Sequence, residues 1–288
     1  MDIGIGLPST IPGIPGRLIL DWARAAEQTG FSSLGTLDRI VYGNLETVPV
    51  LAAAAAVTER IGLTTAILIG PYRGNGALLA KQLATVDAIA GGRLRVGIAV
   101  GGRPDDFQAT GSSFTERGHA FDAQLAEMRA VWQQEPRGHA GPIGPAPVQA
   151  GGPPLLMGGN APAAFRRMTE FGAGWVMGGG GPQAFAQGAD KARQAWRDAG
   201  RAGAPRLVAI AYASLGDDAE AHARAYLTDY YSFIGDFADQ IAAGALTSPQ
   251  RVADAVAAFT EAGCDELILF PCNPDTAQVA LVAQAAGL

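Results

Sequence analysis

Two consecutive strand–turn–helix units between residues 154 and 182 constrain the fold more than any other part of the sequence. Residues 155–157 form an apolar run that is too short for a helix, and a glycine-rich turn breaks it. A helix follows, with Pro162 in its first turn, where the missing N–H group costs nothing. The same pattern begins again at Gly174. Repeated units of this kind predict a parallel sheet with right-handed crossovers.

Both turns expose backbone N–H groups beside the positive end of a helix, which suits a phosphate or another anion. The alternative is that glycine only permits a tight connection. Two neighbouring turns at the same edge of a sheet favour anion binding over this alternative. The residues concerned are Gly158, Gly159, Asn160 and Ala161 in the first turn and Gly178, Gly179 and Gly180 in the second.

The alternation of strands and helices extends over the whole chain. Strands are expected at residues 3–7, 31–37, 61–69, 94–100, 155–157, 174–177, 206–213 and 266–270, with helices between them. Eight units in 288 residues favour a closed (β/α)8 TIM barrel with insertions over an open doubly wound sheet. The prediction is therefore a single barrel domain over residues 1–288, with its active site at the carboxyl ends of the strands.

Composition excludes several classes of partner. The chain has 27 acidic and 21 basic residues and no basic run, which argues against nucleic-acid binding. No apolar stretch approaches the length of a membrane span, and the amino terminus lacks the charged region of a signal peptide. Cys264 and Cys272 flank a predicted strand that would separate them by about 26 Å, too far for a disulfide. A reducing, cytoplasmic setting is expected.

Several segments resemble the bacterial luciferase-like family of flavin- and deazaflavin-dependent oxidoreductases. They are AEQTGFSSLGTLDR (residues 26–39), AAAVTERIGLTTAILIGPYR (54–73), LAKQLATVDAIAGGRLRVGIAVGG (79–102), FTERGHAFDAQLAEMRAVW (114–132), PPLLMGGNAPAAFRRMTEFGAGWV (153–176) and, more weakly, residues 255–270. The resemblance covers most of the chain in the right order. It implies an oxidoreductase or monooxygenase that binds reduced FMN or coenzyme F-420 at the mouth of the barrel and acts on a small organic substrate.

The resemblance also implies roles for particular residues. The cofactor phosphate would lie on the two glycine turns, and a non-proline cis peptide near Ala66 and Ile67 would lie under the isoalloxazine ring. Asp38 would contact the ring; the alternative is a loop aspartate that caps the next element. Arginine chemistry, rather than the resemblance, suggests that Arg39 and Arg73 hold an anionic substrate or the reduced ring; the alternative is that they are solvated surface residues. The catalytic candidates are Asp38, Arg39 and Arg73, and the cofactor-binding candidates are Asp38, Ala66, Ile67, Gly101 and the residues of the two turns.

The sequence departs from the family pattern where many relatives carry histidine. Arg39 follows the strand-two aspartate, Gly74 follows Arg73, and Gly102 replaces the glutamate of the sugar-phosphate dehydrogenases. None of the three histidines lies at a strand end. Because cofactor chemistry requires mainly that the protein place the ring and exclude water, catalysis remains the first hypothesis. A cofactor-binding barrel without catalysis is the alternative, and a phosphate-binding lyase ranks last.

Two partners beyond the substrate are expected. The helix after strand two carries Val50, Leu51 and several alanines, which suggests a two-fold interface and hence a homodimer. A dissociable reduced cofactor also implies a separate flavin or deazaflavin reductase.

Overall fold

Eight parallel strands close into a barrel in chain order in the computed structural model, which describes all 288 residues. The strands are β1 (Asp2–Gly6), β2 (Ser33–Thr36), β3 (Gly62–Ile69), β4 (Leu94–Ala99), β5 (Leu155–Gly158), β6 (Gly174–Met177), β7 (Arg206–Ala213) and β8 (Glu266–Pro271). Each strand pairs with its neighbours in the sequence, and β8 closes the barrel on β1 through the register Asp2–Glu266 to Ile5–Leu269. The TIM barrel predicted from the sequence is confirmed.

Eleven α-helices accompany the strands. They are α1 (Arg17–Thr29), α2 (Thr47–Ala55), α3 (Gly76–Ile89), α4 (Pro104–Ala109), α5 (Arg117–Trp132), α6 (Pro162–Phe171), α7 (Pro182–Asp198), α8 (Ala219–Tyr230), α9 (Phe237–Ala243), α10 (Pro249–Glu261) and α11 (Ala277–Ala286). The short helix α4 was not expected from the sequence. Residues 231–245 form a 3-10 turn at Ser232–Ile234 followed by α9, because Gly235 at φ 60° interrupts the helix.

The barrel interior is filled by large side chains that face glycines. A Cβ atom added to Gly6 would lie 2.2 Å from Cδ1 of Phe270, and one added to Gly35 would lie 2.9 Å from its Cζ. The Phe270 ring therefore occupies the space that β1 and β2 leave empty. This packing closes the centre of the barrel, so a ligand site can lie only above it, at the carboxyl ends of the strands.

The apolar positions of α2 that suggested a dimer are covered within one chain. Val50 and Leu51 are both buried against the barrel. The exposed large apolar side chains nearby are Leu78 and Ile89, on α3. The homodimer stays a prediction, and α3 exposes more large apolar side chains than α2 does.

A buried carboxylate ties the amino-terminal end of the barrel together. Glu266 is fully buried and accepts hydrogen bonds from Oγ of Ser32 (2.7 Å) and Oγ of Ser33 (2.6 Å). It also forms ion pairs with Nη2 of Arg95 (2.8 Å) and Nη2 of Arg206 (3.0 Å). Burial by itself would raise the pKa of Glu266, but Arg95 and the hydrogen bonds lower it below its ordinary value of 4.5.

Substitution of Glu266 by glutamine should destabilise the fold in a pH-dependent way. At neutral pH we expect a loss of about 3 kcal/mol in urea unfolding, because two arginines lose their buried partner. A carboxyl whose folded pKa is lowered contributes its stability above the ordinary pKa and loses it as pH falls through the folded value. The difference between wild type and Glu266→Gln should therefore shrink below about pH 4.

The matched control is Glu170→Gln, which removes an exposed ion pair with Arg166 and should cost about 0–1 kcal/mol. A difference between wild type and Glu266→Gln that stays constant from pH 7 to about pH 3 would contradict this assignment.

Candidate functional site

The expected site residues all lie at the carboxyl ends of the barrel strands. Parallel strands bring these ends to one edge, so residues that follow different strands meet there. Asp38 and Arg39 come after β2, Ala66 and Ile67 lie in β3, and Arg73 comes after β3. Gly101 follows β4. The first glycine turn begins at the end of β5 and the second follows β6; their residues are Gly158, Gly159, Asn160 and Ala161, and Gly178, Gly179 and Gly180.

The two glycine turns have backbone conformations that only glycine adopts readily. Gly159 has φ 109°, Gly179 has φ 141° and Gly180 has φ 108°. Each turn leads within a few residues into a helix with proline in its first turn, α6 or α7. The indole Nε1 of the buried Trp175 donates a 2.8 Å hydrogen bond to the carbonyl oxygen of Gly159 and fixes the first turn. The N–H groups at these helix starts form a cradle for an anion.

Ile67 lies between the two turns on the inner side of the mouth. The Ala66–Ile67 peptide is cis, as the resemblance implied. A Cβ atom added to Gly158 would lie 2.8 Å from Cδ1 of Ile67, and one added to Gly178 would lie 3.2 Å from it. Both glycines therefore leave room for the side chain of Ile67.

The carboxylate of Asp38 is engaged on all sides. It is 3% exposed and accepts hydrogen bonds from the Ile69 N–H (2.9 Å), Oη of Tyr72 (2.7 Å), Nη2 of Arg73 (2.8 Å) and Oγ1 of Thr47 (3.3 Å). The single hydroxyl hydrogen of Thr47 also has the Leu37 carbonyl oxygen at 2.8 Å, so the first three donors are the main partners of Asp38. Asp38 thus fixes the end of β3 to the end of β2, and its role beside a cofactor ring stays a prediction.

Arg73 and Gly101 have structural partners as well. Arg73 is held between Oδ1 of Asp38 (2.8 Å) and Oε1 of Glu46 (2.6 Å), so its charge is balanced by two carboxylates. Gly101 has φ 78°, and a Cβ atom there would lie 2.5 Å from Cγ2 of Ile69. Glu46 was missed by the sequence argument, although its position just before a helix is typical of a cap.

Helix α8 crosses the mouth on the side of β1 and β2. Oη of Tyr226 lies 2.6 Å from Oγ1 of Thr10, which follows β1. Nη1 of Arg39 donates a 2.6 Å hydrogen bond to the carbonyl oxygen of Tyr230, and its guanidinium lies 4.5 Å from the centre of the Tyr42 ring. We refer to Tyr226, Tyr230 and Tyr231 as the tyrosine cover. The buried Arg39 side chain thus connects the end of β2 to the tyrosine cover.

A cavity of about 570 Å³ opens beside the second glycine turn, a volume that suits a small organic ligand. Its polar ends are the turn at Gly178 and a pair of hydroxyls, Tyr212 and Tyr231, whose oxygens are 2.7 Å apart. Burial raises the pKa values of both tyrosines, so they are neutral hydroxyl donors at physiological pH. The remaining wall is largely apolar and includes Ile241 and Phe259.

Two other polar side chains lie near the mouth. Asp106, in α4, is buried and accepts hydrogen bonds from the N–H groups of Ile40 and Val41. His222 lies in the first turn of α8, with Nδ1 3.2 Å from Nδ2 of Asn273. It is exposed and does not line the cavity, so no histidine serves the site.

This barrel with its paired glycine turns agrees with the comparison to known proteins. The model of the luciferase-like monooxygenase family matches residues 1–262, and the chain belongs to that family. Solved structures of similar fold include an F420-dependent secondary alcohol dehydrogenase in complex with an F420-acetone adduct (TM-score 0.81, 18% identity, 99% of this chain and 98% of that one). The monooxygenase RslO1 from Streptomyces bottropensis is another (TM-score 0.77, 23% identity, 100% and 97%). At these identities the likeness concerns the fold alone.

Relatives by sequence match only part of the chain. An uncharacterised protein of Mycobacterium bovis is 32% identical over 190 residues, which cover 56% of this chain and 65% of that protein. An FMNH2-dependent dimethylsulfone monooxygenase of Pseudomonas putida is 30% identical over 169 residues, 53% of this chain and 46% of that protein. The chain thus spans less than two thirds of the length of these curated relatives. None of its helices has the length and apolar character needed to cross a bilayer.

Substitution of Asp38 by asparagine should weaken the fold at the mouth. The change leaves Arg73 with one carboxylate and replaces an acceptor by an amide, and we expect a loss of about 3 kcal/mol in urea unfolding at neutral pH. The control is Asp21→Asn, which removes an exposed ion pair with Arg24 and should cost about 0–1 kcal/mol. Equal stabilities of the two variants would contradict the structural role of Asp38.

Proposed function

We propose that this protein is an oxidoreductase that binds reduced FMN, or the related coenzyme F-420, and acts on a small organic substrate. The single observation that carries the proposal is the pair of glycine turns after β5 and β6, with left-handed backbone at Gly159, Gly179 and Gly180. Backbone N–H groups of both turns can surround one phosphate, which both cofactors carry. Ile67, between the turns, then supports the ring.

FMN is the first candidate because the Pseudomonas putida relative is an FMNH2-dependent monooxygenase. Monooxygenation is correspondingly the first candidate reaction. Hydride transfer from coenzyme F-420 is the second, since the same turns accommodate its phosphate. With either cofactor, a separate reductase supplies the reduced form.

The residues of the chain bind the cofactor, orient the substrate and exclude water. When bound, the reduced cofactor supplies the electrons, so the protein needs no nucleophile of its own. The glycine turns hold the phosphate, and Asp38 acts as a positioning residue that keeps β3 in place beneath the ring. The tyrosine cover shields the side of β1 and β2 from solvent. One hydroxyl of the Tyr212–Tyr231 pair donates to the other, so the second can donate a hydrogen bond to a substrate oxygen in the cavity.

A barrel that binds the cofactor without catalysis is the alternative, and turnover separates the two. Oxidation or reduction of any organic substrate with the reduced cofactor would exclude this alternative. Failure of both FMN and coenzyme F-420 to bind, in either redox state, would contradict the proposal itself.

Substitution of Gly159 by valine tests the phosphate site directly. A side chain there would crowd the anion and strain a backbone at φ 109°. We expect FMN affinity to fall by about tenfold or more, as for the loss of charge-assisted hydrogen bonds, while riboflavin affinity changes little. Calorimetric titration of both ligands measures the difference.

Gly30→Val is the matched control. Gly30 also has a left-handed backbone (φ 94°) with open space around it, but it follows α1, away from the mouth. Its substitution should lower the melting temperature and leave both affinities unchanged. Equal losses of FMN and riboflavin binding in Gly159→Val, in a variant that still folds, would contradict the assignment. The deazaflavin coenzyme and its phosphate-free core serve in the same way if FMN does not bind.

A further inference from the structure

Arg103 holds an uncompensated positive charge under the tyrosine cover. It follows β4, and its Nη1 reaches towards β2, where it lies 3.5 Å from the carbonyl oxygen of Asp38. Its guanidinium carbon lies 5.0 Å from the centre of the Tyr230 ring and 4.6 Å from that of Phe233. The Nε atom is buried and has no hydrogen-bond partner. No carboxylate forms an ion pair with this side chain, in contrast to Arg73.

A second guanidinium faces the same two rings. The carbon of the Arg39 guanidinium lies 5.5 Å from the centre of the Tyr230 ring and 5.7 Å from that of Phe233. Its only ion pair is with Asp105, at 3.8 Å, and that carboxylate is 39% exposed. Two cations therefore share one aromatic surface with a single weak counter-ion.

The other carboxylates nearby are already engaged. Asp38 is bound to Arg73, and Asp106 accepts the N–H groups of Ile40 and Val41. A cation removed from water loses solvation free energy unless a partner replaces the water, and repulsion between two nearby cations adds to that loss. Stacking on aromatic rings offsets part of that cost but supplies no negative charge, and the Nε donor of Arg103 stays unpaired. A ligand anion is the group that this arrangement lacks.

We propose that Arg103, beneath the tyrosine cover, binds the anionic group of the organic substrate, a carboxylate or a similar oxyanion. Tyr231 connects this place to the cavity, because its ring lies 6.2 Å from that of Phe233 and it also lines the cavity with Tyr212. The apolar part of the substrate would extend along Tyr231 into that space. The inference deepens the proposed function by naming the substrate class.

The anion bound by Arg103 is distinct from the cofactor phosphate. The phosphate is assigned to the turns after β5 and β6, whereas Arg103 extends from β4 towards the end of β2, on the other side. The two anions thus occupy separate places in the mouth.

Hexanoate and hexanamide, which differ mainly in charge, test the proposal. Calorimetric titrations of the full chain are run with and without oxidised FMN. We expect wild type to bind hexanoate about tenfold or more tightly than hexanamide in at least one condition. Arg103→Met, which keeps an apolar stem, should abolish that preference, and Arg103→Lys should retain part of it. The melting temperature of unliganded Arg103→Met should equal or exceed that of wild type, because an unpaired cation has been removed.

Several results would overturn the proposal. The first two concern wild type: equal affinities for hexanoate and hexanamide, or no binding of hexanoate up to about 10 mM in either condition. The other two concern the variants: a preference for hexanoate that persists in Arg103→Met, or one that Arg103→Lys loses as fully as Arg103→Met does. Weaker binding of reduced but not oxidised FMN to Arg103→Met, with hexanoate binding unchanged, would assign Arg103 to the ring instead. FMN affinity of wild type, measured separately, tests the proposed function; its absence would leave the comparison of probes intact.

Discussion

The carboxylate of Asp38 is the contact on which the geometry of the mouth depends. Its four donors come from the end of β3, from the turn that follows it and from the start of α2. Strand β3 carries Ile67, and Ile67 faces Gly158 and Gly178 across the mouth. One buried anion thus aligns Ile67 with the two glycine turns. Its energetic role is large because a buried carboxylate without its donors is costly.

The tyrosine cover divides the mouth into two halves. Helix α8 closes the half above β1 and β2, and the glycine turns leave the half above β5 and β6 open. Arg39 anchors the cover to β2 through the Tyr230 carbonyl, while Arg103 lies beneath it without an ion pair to any carboxylate. The ring of Tyr231 lies 6.2 Å from that of Phe233, which faces both cations, and Tyr231 also lines the cavity. Binding of an anion there would balance the charge without a change in the fold.

Much of the fold could be predicted because it depends on local patterns. Short apolar runs alternating with amphipathic helices identify the barrel, and glycines after β5 and β6 mark the turns. The roles of Asp38, Arg39 and Arg103 could not be predicted, because their partners are far along the chain: Tyr230 is 191 residues from Arg39. The hydrogen bond from Trp175 to the Gly159 carbonyl likewise depends on how the strand–turn–helix units of β5 and β6 pack together. Sequence order shows which strand end a residue follows, but not which donors surround it.

The most direct test of the central claim is a crystal structure of the protein with reduced FMN bound under anaerobic conditions. The account predicts phosphate oxygens about 3 Å from backbone nitrogens in both glycine turns, residues 158–161 and 178–181, with the ring against Ile67. A phosphate bound instead by Arg39 or Arg103, or a ring placed away from Ile67, would contradict it.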